Sequence, residues 1–418
     1  MVTAGMRHDD LRRRNRAMVI AAVRRSDQPS RTEIAAITGL SHSTISTISS
    51  DLIAEGILTE SRGGPAAPKR GRPQVAIRLA PGAVAVMTVV LSLNALSAAL
   101  MDYRGALISE ESRKLDTTRL TRAALVADCV EMVRRRLDTA ARAGRHVLRI
   151  AFAVQGVTDA KARALLWSPI TPHSEIALAD VLEQAFAVPV TVENDCNMMA
   201  EALRWRHPQR YRDNFVAVLL SRGIGMGLVL NGELFSGTQS SGSEFGHMIH
   251  RPGGALCRCG RRGCVEAYAG SYAIWRSARG IAETAPPADV DDAEMAALAA
   301  AARAGAGPER AAFAKAGEAL GYALGSLFAL IDPAPVAIVG DGAGAFDLVE
   351  PALCAALART AGGQHSAAIS FGIAADELAL IREGSAMRAL TFVDREIMAR
   401  GLQAAGMAGA GRQSSRMA

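Results

Sequence analysis

The first forty residues show the apolar spacing of helices. Between Leu11 and Val23, apolar residues recur along one side of a helical wheel, which predicts a first helix. Ser30 and Glu33 have the spacing of a capping box, in which each side chain satisfies a backbone N–H at the start of a helix. Gly39 follows eight residues after Arg31, where a glycine commonly ends a helix. The pattern therefore predicts a second, short helix that ends at a tight turn.

A third helix is predicted from Ser41 to about Glu55, with one apolar face and one face of small polar residues. The polar face comprises His42, Ser43, Thr44, Ser46 and Thr47. Strand-like alternation follows on both sides of a Gly- and Pro-rich loop, whose basic residues are Lys69, Arg70 and Arg72. This order is typical of a winged helix-turn-helix, in which the polar face enters the major groove of DNA and the basic wing contacts phosphates or the minor groove. A small helical bundle for protein contacts, followed by a charged linker, is the alternative.

The net charge of the chain is concentrated in this segment. Residues 1–80 contain 13 Arg and Lys against 7 Asp and Glu, an excess equal to the +6 of all 418 residues. The remaining chain is therefore neutral overall. A basic head on a neutral body is what binding to a polyanion requires.

From residue 81 onward, apolar runs of strand length alternate with helical segments, which predicts an α/β body. The predicted strands are Ala83–Leu91, Ala95–Asp102, Leu148–Val154, Val188–Val192 and Phe215–Leu220, with a helix over Thr121–Arg142. The almost wholly apolar run from Ala83 to Met101 is long enough to be weighed as a membrane span. Its polar interruptions favour two buried strands joined by a tight turn.

One histidine and three cysteines have the spacing of a metal site. His247 is followed after nine residues by Cys257, Cys259 and Cys264, with Gly260 and Gly263 permitting the turn between the thiols. Zinc favours four tetrahedral sulfur and nitrogen ligands, and a filled set of four marks a structural site. Three reduced cysteines beside an ordinary histidine are the alternative. The other three cysteines are scattered, which argues against a disulfide framework and favours a reducing cytoplasm.

The string Gly-His-x9-Cys-x-Cys-Gly-x2-Gly-Cys-x-Glu, which ends at Glu266, resembles the zinc signature of the ROK family of repressors, open reading frames and sugar kinases. The resemblance implies a two-lobed, actin-like sugar-kinase body from about Pro81 to Ala399. It implies a first lobe over residues 81–200, completed by a C-terminal helix at about 376–400, and a second lobe over 201–375. It further implies that Glu244, His247 and Glu266 face sugar hydroxyls, with zinc bound by the histidine and the three cysteines.

Asn194 and Asp195 stand where a predicted strand ends and a helix begins. A helix cap that satisfies backbone N–H groups explains such residues. The resemblance implies a second role, because the family's kinases use the aspartate at this position as the base for the sugar hydroxyl. The residue before it also holds sugar in those kinases. We therefore expect both side chains to bind ligand.

The chain departs from the family's kinases at the segment that holds ATP phosphates. Where those kinases have Asp-x-Gly-Gly-Thr, this sequence has Val90-Leu-Ser-Leu93-Asn, and Gln155 replaces the usual proline in a neighbouring loop. Valine cannot bind magnesium, and phosphoryl transfer depends on positioning and on neutralising charge. We therefore expect a body that binds sugar but is not an enzyme.

The sequence thus predicts a cytoplasmic transcriptional regulator of carbohydrate genes, most simply a repressor. Its expected partners are double-stranded operator DNA, a sugar or sugar-derivative effector and further copies of itself, as a homodimer or homotetramer, without a membrane. Structural zinc is the expected cofactor, and residues 401–418 are expected to form a disordered tail. A sugar kinase with an added DNA-binding head, and a ligand-independent DNA-binding protein controlled by a partner protein, are the alternatives.

Overall fold

The structure is a computed structural model that describes residues 8–26, 28–62, 75–82, 84–237, 244–364 and 369–400. The residues on either side of the predicted wing loop lie within the ranges 28–62 and 75–82. The wing residues Lys69, Arg70 and Arg72, together with the predicted tail at 401–418, lie outside the described residues.

The head consists of three helices followed by a two-stranded antiparallel sheet. These elements are α1 (His8–Arg25), α2 (Arg31–Thr38), α3 (His42–Ala54), β1 (Leu58–Arg62) and β2 (Val75–Leu79). The predicted capping box is confirmed, since Ser30 Oγ accepts the Glu33 N–H and Glu33 accepts the Ser30 N–H. Gly39 ends α2 with φ +71°, a left-handed conformation that costs glycine little. The helices predicted from the sequence therefore form for the local reasons expected.

The next part of the chain builds a mixed five-stranded sheet. Its elements in chain order are β3 (Val84–Ser92), β4 (Ala95–Asp102), β5 (Leu107–Lys114), α4 (Arg122–Arg142), β6 (His146–Val154), β7 (Val157–Thr158), β8 (Leu165–Trp167), α5 (Leu178–Phe186) and β9 (Val190–Asn194). The strand order is β5-β4-β3-β6-β9, in which β3, β6 and β9 run parallel. The two-stranded hairpin β7–β8 stands apart from this sheet.

A second five-stranded sheet follows. Its elements in chain order are α6 (Asp195–Arg206), β10 (Phe215–Leu220), β11 (Ile224–Leu230), β12 (Glu233–Phe235), α7 (Glu266–Ala269), α8 (Ser271–Ala278), α9 (Asp292–Ala304), α10 (Pro308–Ile331), β13 (Val336–Val339), α11 (Phe346–Leu357), β14 (Phe371–Ala374) and α12 (Glu377–Glu396). The strand order is β12-β11-β10-β13-β14. Helix α6 packs on strands of both sheets, and α12 packs on α6, β3 and β6. The body is therefore two α/β lobes joined along α6.

The apolar run that was weighed as a membrane span forms the hairpin of β3 and β4. The turn between them contains Asn94 with φ +58°, and the strands pair from Ala85 with Asp102 to Ser92 with Ala95. Among the described residues, every helix is too short or too polar to cross a membrane.

The small residues of α10 serve packing within the chain. A Cβ added to Gly317, Gly321 or Gly325 would come within about 2.4 Å of atoms of the α11 segment or of Thr360. Helix α11 and the residues after it therefore cover the glycine-lined face of α10.

The head and the first lobe share one hydrophobic core. Val19, Ile20 and Ile34 of the head belong to the same buried cluster as Val86 of β3 and Leu390 of α12. Because this cluster removes apolar surface of both parts from water, it stabilises the attachment of the head to the first lobe.

Candidate functional site

The candidate site lies where the two lobes meet, at the carboxyl ends of β6 and β9. Ligands of open α/β sheets bind at this edge because loops and helix N-termini converge there. We call the cavity at this edge the polar pocket. Its wall includes all five sugar-binding residues expected from the sequence: Asn194, Asp195, Glu244, His247 and Glu266.

Asn194 is the N-cap of α6. Its Oδ1 accepts the N–H of Asn197 at 3.1 Å, and its Nδ2 donates to the carbonyl of Gly156 at 2.9 Å. The capping interpretation of this residue is therefore correct. The side chain also borders the polar pocket, so the cap leaves room for a ligand contact through its remaining lone pair and N–H.

Asp195 is almost completely buried, at 3 % exposure, beside Asn194 at the start of α6. Its Oδ1 accepts the N–H of Cys196 at 2.8 Å. Burial, followed by the negative charge of Glu377, raises the pKa of Asp195 to about 7. A carboxyl group with this pKa exchanges a proton near neutral pH, as a group that meets a sugar hydroxyl must do if it acts as a base.

Glu244 and His247 approach the pocket from the second lobe, on a short 3-10 turn over Phe245–His247. His247 Nε2 lies 3.8 Å from Glu244 Oε2, and the imidazole meets the edge of Trp167 with ring centroids 5.8 Å apart. Burial raises the pKa of Glu244. The Nε2 of His247 thus faces the pocket and the carboxylate of Glu244.

Glu266 connects the pocket to the cysteine cluster. Its Oε2 accepts the N–H of Ile224 at 3.2 Å, and its Oε1 accepts from the Tyr272 hydroxyl at 3.3 Å and lies 3.4 Å from Cys257 Sγ. The Ile224 N–H and the Tyr272 hydroxyl therefore hold its side chain while it borders the pocket. These contacts make its carboxylate a rigid part of the wall.

The expected metal ligands converge. The ligand atoms of His247, Cys257, Cys259 and Cys264 all lie within 4.8 Å of one another. Cys259 Sγ is 3.8 Å from Cys264 Sγ, and Cys257 Sγ is 3.8 Å from His247 Nδ1. Bonds of about 2.3 Å to a tetrahedral ion place two sulfurs roughly 3.8 Å apart, so the donor set fits a metal ion such as zinc.

The two nitrogens of His247 have separate neighbours. Nδ1 faces the cysteines, whereas Nε2 faces Glu244. A histidine that binds metal usually donates its other N–H to a carboxylate, which fixes the ring. The same imidazole can therefore hold a metal ion and present an oriented N–H to the pocket.

A second cavity of about 510 Å³, which we call the cleft cavity, adjoins the polar pocket. It is bordered by Val90 and Ser92 at the end of β3 and by Leu93 in the following turn. On the other side it is bordered by Asp341 of the second lobe and by Glu377 of α12. Burial raises the pKa of both Asp341 and Glu377. The cavity is therefore lined by apolar side chains, by these two carboxylates and by the guanidinium of Arg222.

The glycines of Ser221–Gly227 serve packing rather than a phosphate loop. Ser221 to Gly223 form the turn between β10 and β11. A Cβ on Gly225 would lie 2.3 Å from Cys196 Sγ, and one on Gly227 would lie 2.3 Å from the Cys196 carbonyl. Gly225 and Gly227 therefore allow α6 to approach β11 closely.

The polar face of α3 is largely open to solvent. His42, Ser43, Ser46 and Thr47 are exposed, while Ile45 and Ile48 are buried on the opposite side. Thr44 differs, because it is half-buried and its Oγ1 lies 2.8 Å from Ser41 Oγ in the N-cap. Four of the five expected residues are therefore available to a partner, and Thr44 also supports the start of the helix.

Sequence reasoning missed Trp167 and Gly223 in the wall of the polar pocket. Trp167 ends the short strand β8, and nothing in the local sequence singles it out. Gln155 also borders the pocket. Gln155 stands where the family usually has proline, which drew attention to this loop, but the sequence predicted no role for its side chain.

Comparison with known proteins places these features in context. The model of the ROK family matches residues 98–376. The xylose repressor of Bacillus subtilis (strain 168) is 25% identical over 265 residues, which cover 63% of this chain and 67% of that protein. The glucokinase of Thermotoga maritima is 34% identical over 177 residues, covering 41% of this chain and 55% of the glucokinase. The fold resembles the crystal structure of a ROK family transcriptional regulator, a homologue of the E. coli MLC protein. That similarity has a TM-score of 0.76 and 21% identity, over 93% of this chain and 99% of the other.

Proposed function

Because the chain belongs to the ROK family, we propose that it is a DNA-binding transcriptional repressor of carbohydrate genes that responds to a sugar or sugar derivative. The similarity to xylose repressors over two thirds of their length supports this function. The sugar binds in the polar pocket through Asn194, Asp195, Glu244, His247 and Glu266. The protein acts in the cytoplasm as a homodimer or homotetramer, because two heads on two half-sites multiply the affinity for DNA.

The observation that carries this proposal is the contrast between the two adjoining cavities. The polar pocket gathers carboxylates and an imidazole that suit sugar hydroxyls. The cleft cavity has Val90 and Leu93 where the family's kinases hold magnesium and phosphates. Phosphoryl transfer depends on holding the metal ion and the phosphates in position. A pocket that binds sugar without this segment acts as a sensor.

The head supplies the contact with double-stranded operator DNA. Helix α3 enters the major groove with His42, Ser43, Ser46 and Thr47, supported by Thr44, and the wing residues Lys69, Arg70 and Arg72 contact the backbone or the minor groove. The charge excess of residues 1–80 supports this assignment. The domain limits follow the sequence: the head over 1–80, the first lobe over 81–200 with 376–400, and the second lobe over 201–375.

Zinc is the proposed ion for His247, Cys257, Cys259 and Cys264, in a structural role. With four protein ligands, no coordination position remains for water or substrate. The ion would hold the 3-10 turn of Glu244 and His247 against the loop that contains the cysteines.

The decisive experiment combines ligand binding with DNA release. A thermal-shift screen with pentoses, hexoses and amino sugars identifies the effector, since a ligand at a hundred times its Kd adds about 2.7 kcal/mol of stability. The effector is then titrated into a complex with a duplex selected from a random library, and Glu244→Gln serves as the pocket variant. We expect the wild type to change its DNA affinity with sugar, and the variant to bind DNA equally without responding. Absence of any shift across the sugar panel would instead favour a DNA-binding protein controlled by a partner protein.

A sugar kinase with an added DNA-binding head is the second candidate. The pKa of Asp195, about 7, favours it, as does the similarity to the Thermotoga maritima glucokinase. A coupled assay with ATP, magnesium and the same sugars separates the two. Turnover above background would contradict the proposal that the protein is a repressor without catalytic activity.

A further inference from the structure

The polar pocket and the cleft cavity share part of one wall. Gln155, Leu219 and Gly223 border both cavities. Gln155 directly follows β6, so it occupies the carboxyl edge of the first sheet. Its side chain therefore stands between the region expected to hold sugar and the region that holds phosphates in the family's kinases.

Hydrogen bonds hold both the backbone and the side chain of Gln155. Its N–H donates to the Leu91 carbonyl at 3.1 Å, and its own carbonyl accepts from Ser168 Oγ. The side-chain Oε1 accepts the N–H of Leu93 at 3.3 Å. Because a backbone N–H can pair only with the oxygen of the carboxamide, this contact also assigns the orientation of the amide.

The Nε2 group then points away from Leu93, toward the second lobe. A Cβ built on Gly223 would lie 3.6 Å from Gln155 Nε2 and 2.9 Å from Glu266 Oε2. Gly223 thus leaves open the space between the amide and the carboxylate. Within the described ranges, none of the hydrogen bonds of Gln155 uses Nε2.

A donor at this position complements the rest of the pocket. Asp195, Glu244 and Glu266 accept hydrogen bonds when ionised and cannot donate them. Every sugar hydroxyl that donates to a carboxylate also has lone pairs that need a donor. After donating to Gly156, the Nδ2 of Asn194 keeps one N–H, and Gln155 supplies a second amide donor on the side of the cleft cavity.

We propose that Gln155 determines which sugars this pocket accepts: Nε2 donates to one free hydroxyl, and the side chain blocks any substituent on that hydroxyl from extending into the cleft cavity. The inference rests on the proposed sugar-sensing function. The preferred ligand is therefore a sugar that is unsubstituted at that hydroxyl. A phosphate or methyl group there would collide with Gln155.

The test uses the full-length protein and isothermal titration calorimetry. The probes are D-xylose, D-glucose and N-acetyl-D-glucosamine, followed by the mono-O-methyl ethers of the tightest binder. Gln155→Glu retains an acceptor for the Leu93 N–H but replaces the donor with a carboxylate oxygen near Glu266. Gln155→Ala removes the barrier. Gln184→Glu makes the same chemical change on the exposed side of α5 and is the matched control.

We expect Gln155→Glu to weaken the parent sugar at least about tenfold, with zinc content and unfolding midpoint close to those of the wild type. One methyl ether should be rejected by the wild type and accepted by Gln155→Ala, which a merely structural role would not produce. Gln184→Glu should bind as the wild type does. Unchanged sugar affinity in Gln155→Glu, or unchanged discrimination in Gln155→Ala, would overturn this inference and leave the proposed function intact. Failure of the wild type to bind any sugar would instead overturn the proposed function on which it rests.

Discussion

Arg24 and Asp394 form a bidentate salt bridge in which both side chains are buried, at 2% and 4% exposure. Arg24 Nε lies 2.8 Å from Oδ2 and Nη2 lies 2.8 Å from Oδ1. The Tyr103 hydroxyl donates to the same carboxylate at 2.6 Å, and Arg24 Nη1 donates to the Tyr103 carbonyl at 2.7 Å. The contact joins α1 of the head to α12 and to the turn after β4.

Replacing Asp394 with alanine should strongly destabilise the protein. Removal of one partner leaves the Arg24 guanidinium buried without a counter-charge, which typically costs about 3–5 kcal/mol. Urea denaturation should show this loss in the free energy of unfolding. Arg12→Ala, which breaks the exposed Arg12–Asp51 pair, is the control and should cost about 1 kcal/mol or less. Similar losses in the two variants would contradict the importance of burial.

Replacing Cys264 with serine should reduce the zinc content of the purified protein. The hydroxyl is a poorer zinc ligand than a thiolate, and Cys264 is fully buried within the cluster of four ligand atoms. Elemental analysis measures the metal directly. Cys354→Ser makes the same change at an exposed cysteine outside the cluster and should retain the metal. Full zinc occupancy in Cys264→Ser would refute the ligand assignment.

The titration of Asp195 should make the protein less stable as the pH rises toward neutrality. Burial raises its folded-state pKa to about 7, above the value of 3.8 expected when unfolded. Between about pH 4 and pH 7 the folded state therefore binds more protons, and the stabilisation present below pH 4 is lost through pH 7. Urea denaturation at several pH values measures this slope. Asp195→Asn cannot titrate and should show a smaller decline, whereas identical slopes would contradict the raised pKa.

A negative charge on the exposed face of α3 should abolish DNA binding without unfolding the head. Ser46 is exposed on that face, and a carboxylate there would be repelled by phosphates and would lose contact with base edges. Fluorescence anisotropy with a selected duplex should show at least a hundredfold weaker binding for Ser46→Glu. Gln184→Glu adds the same charge on α5, outside the head, and should bind normally. Equal affinity for the two variants would exclude α3 from the interface.

Local interactions explain why much of the fold could be predicted from the sequence. The capping box of Ser30 and Glu33 and the strand Ala95–Asp102 depend on nearby residues and on alternation, and both were correctly assigned. The gathering of His247 with the three cysteines was predicted from their spacing, because residues so close in sequence can reach one point through a short, tightly turning loop. Strand ends shifted by one or two residues, as in Val190–Asn194 against the predicted Val188–Val192.

Contacts between distant segments could not be predicted in this way. The pairing of Arg24 with Asp394 spans 370 residues, and no periodicity or spacing links them. Trp167 in the pocket wall depends likewise on how a small hairpin folds over the sheet. Asn194 illustrates a different difficulty. A helix cap and a ligand-binding role both favour asparagine at this position, so the residue type alone does not distinguish between them.

The shared core of head and first lobe affects how this protein can be dissected. Ile20 and Ile34 of the head are fully buried in a cluster that also contains Val86 and Leu390 of the first lobe. An excised fragment ending near residue 80 would expose the apolar surface that the head buries against the lobe, at a cost of roughly 25 cal/mol for each Å² uncovered. Truncation at that point should therefore yield a fragment that is less stable and more prone to aggregate than the same residues in the full-length chain.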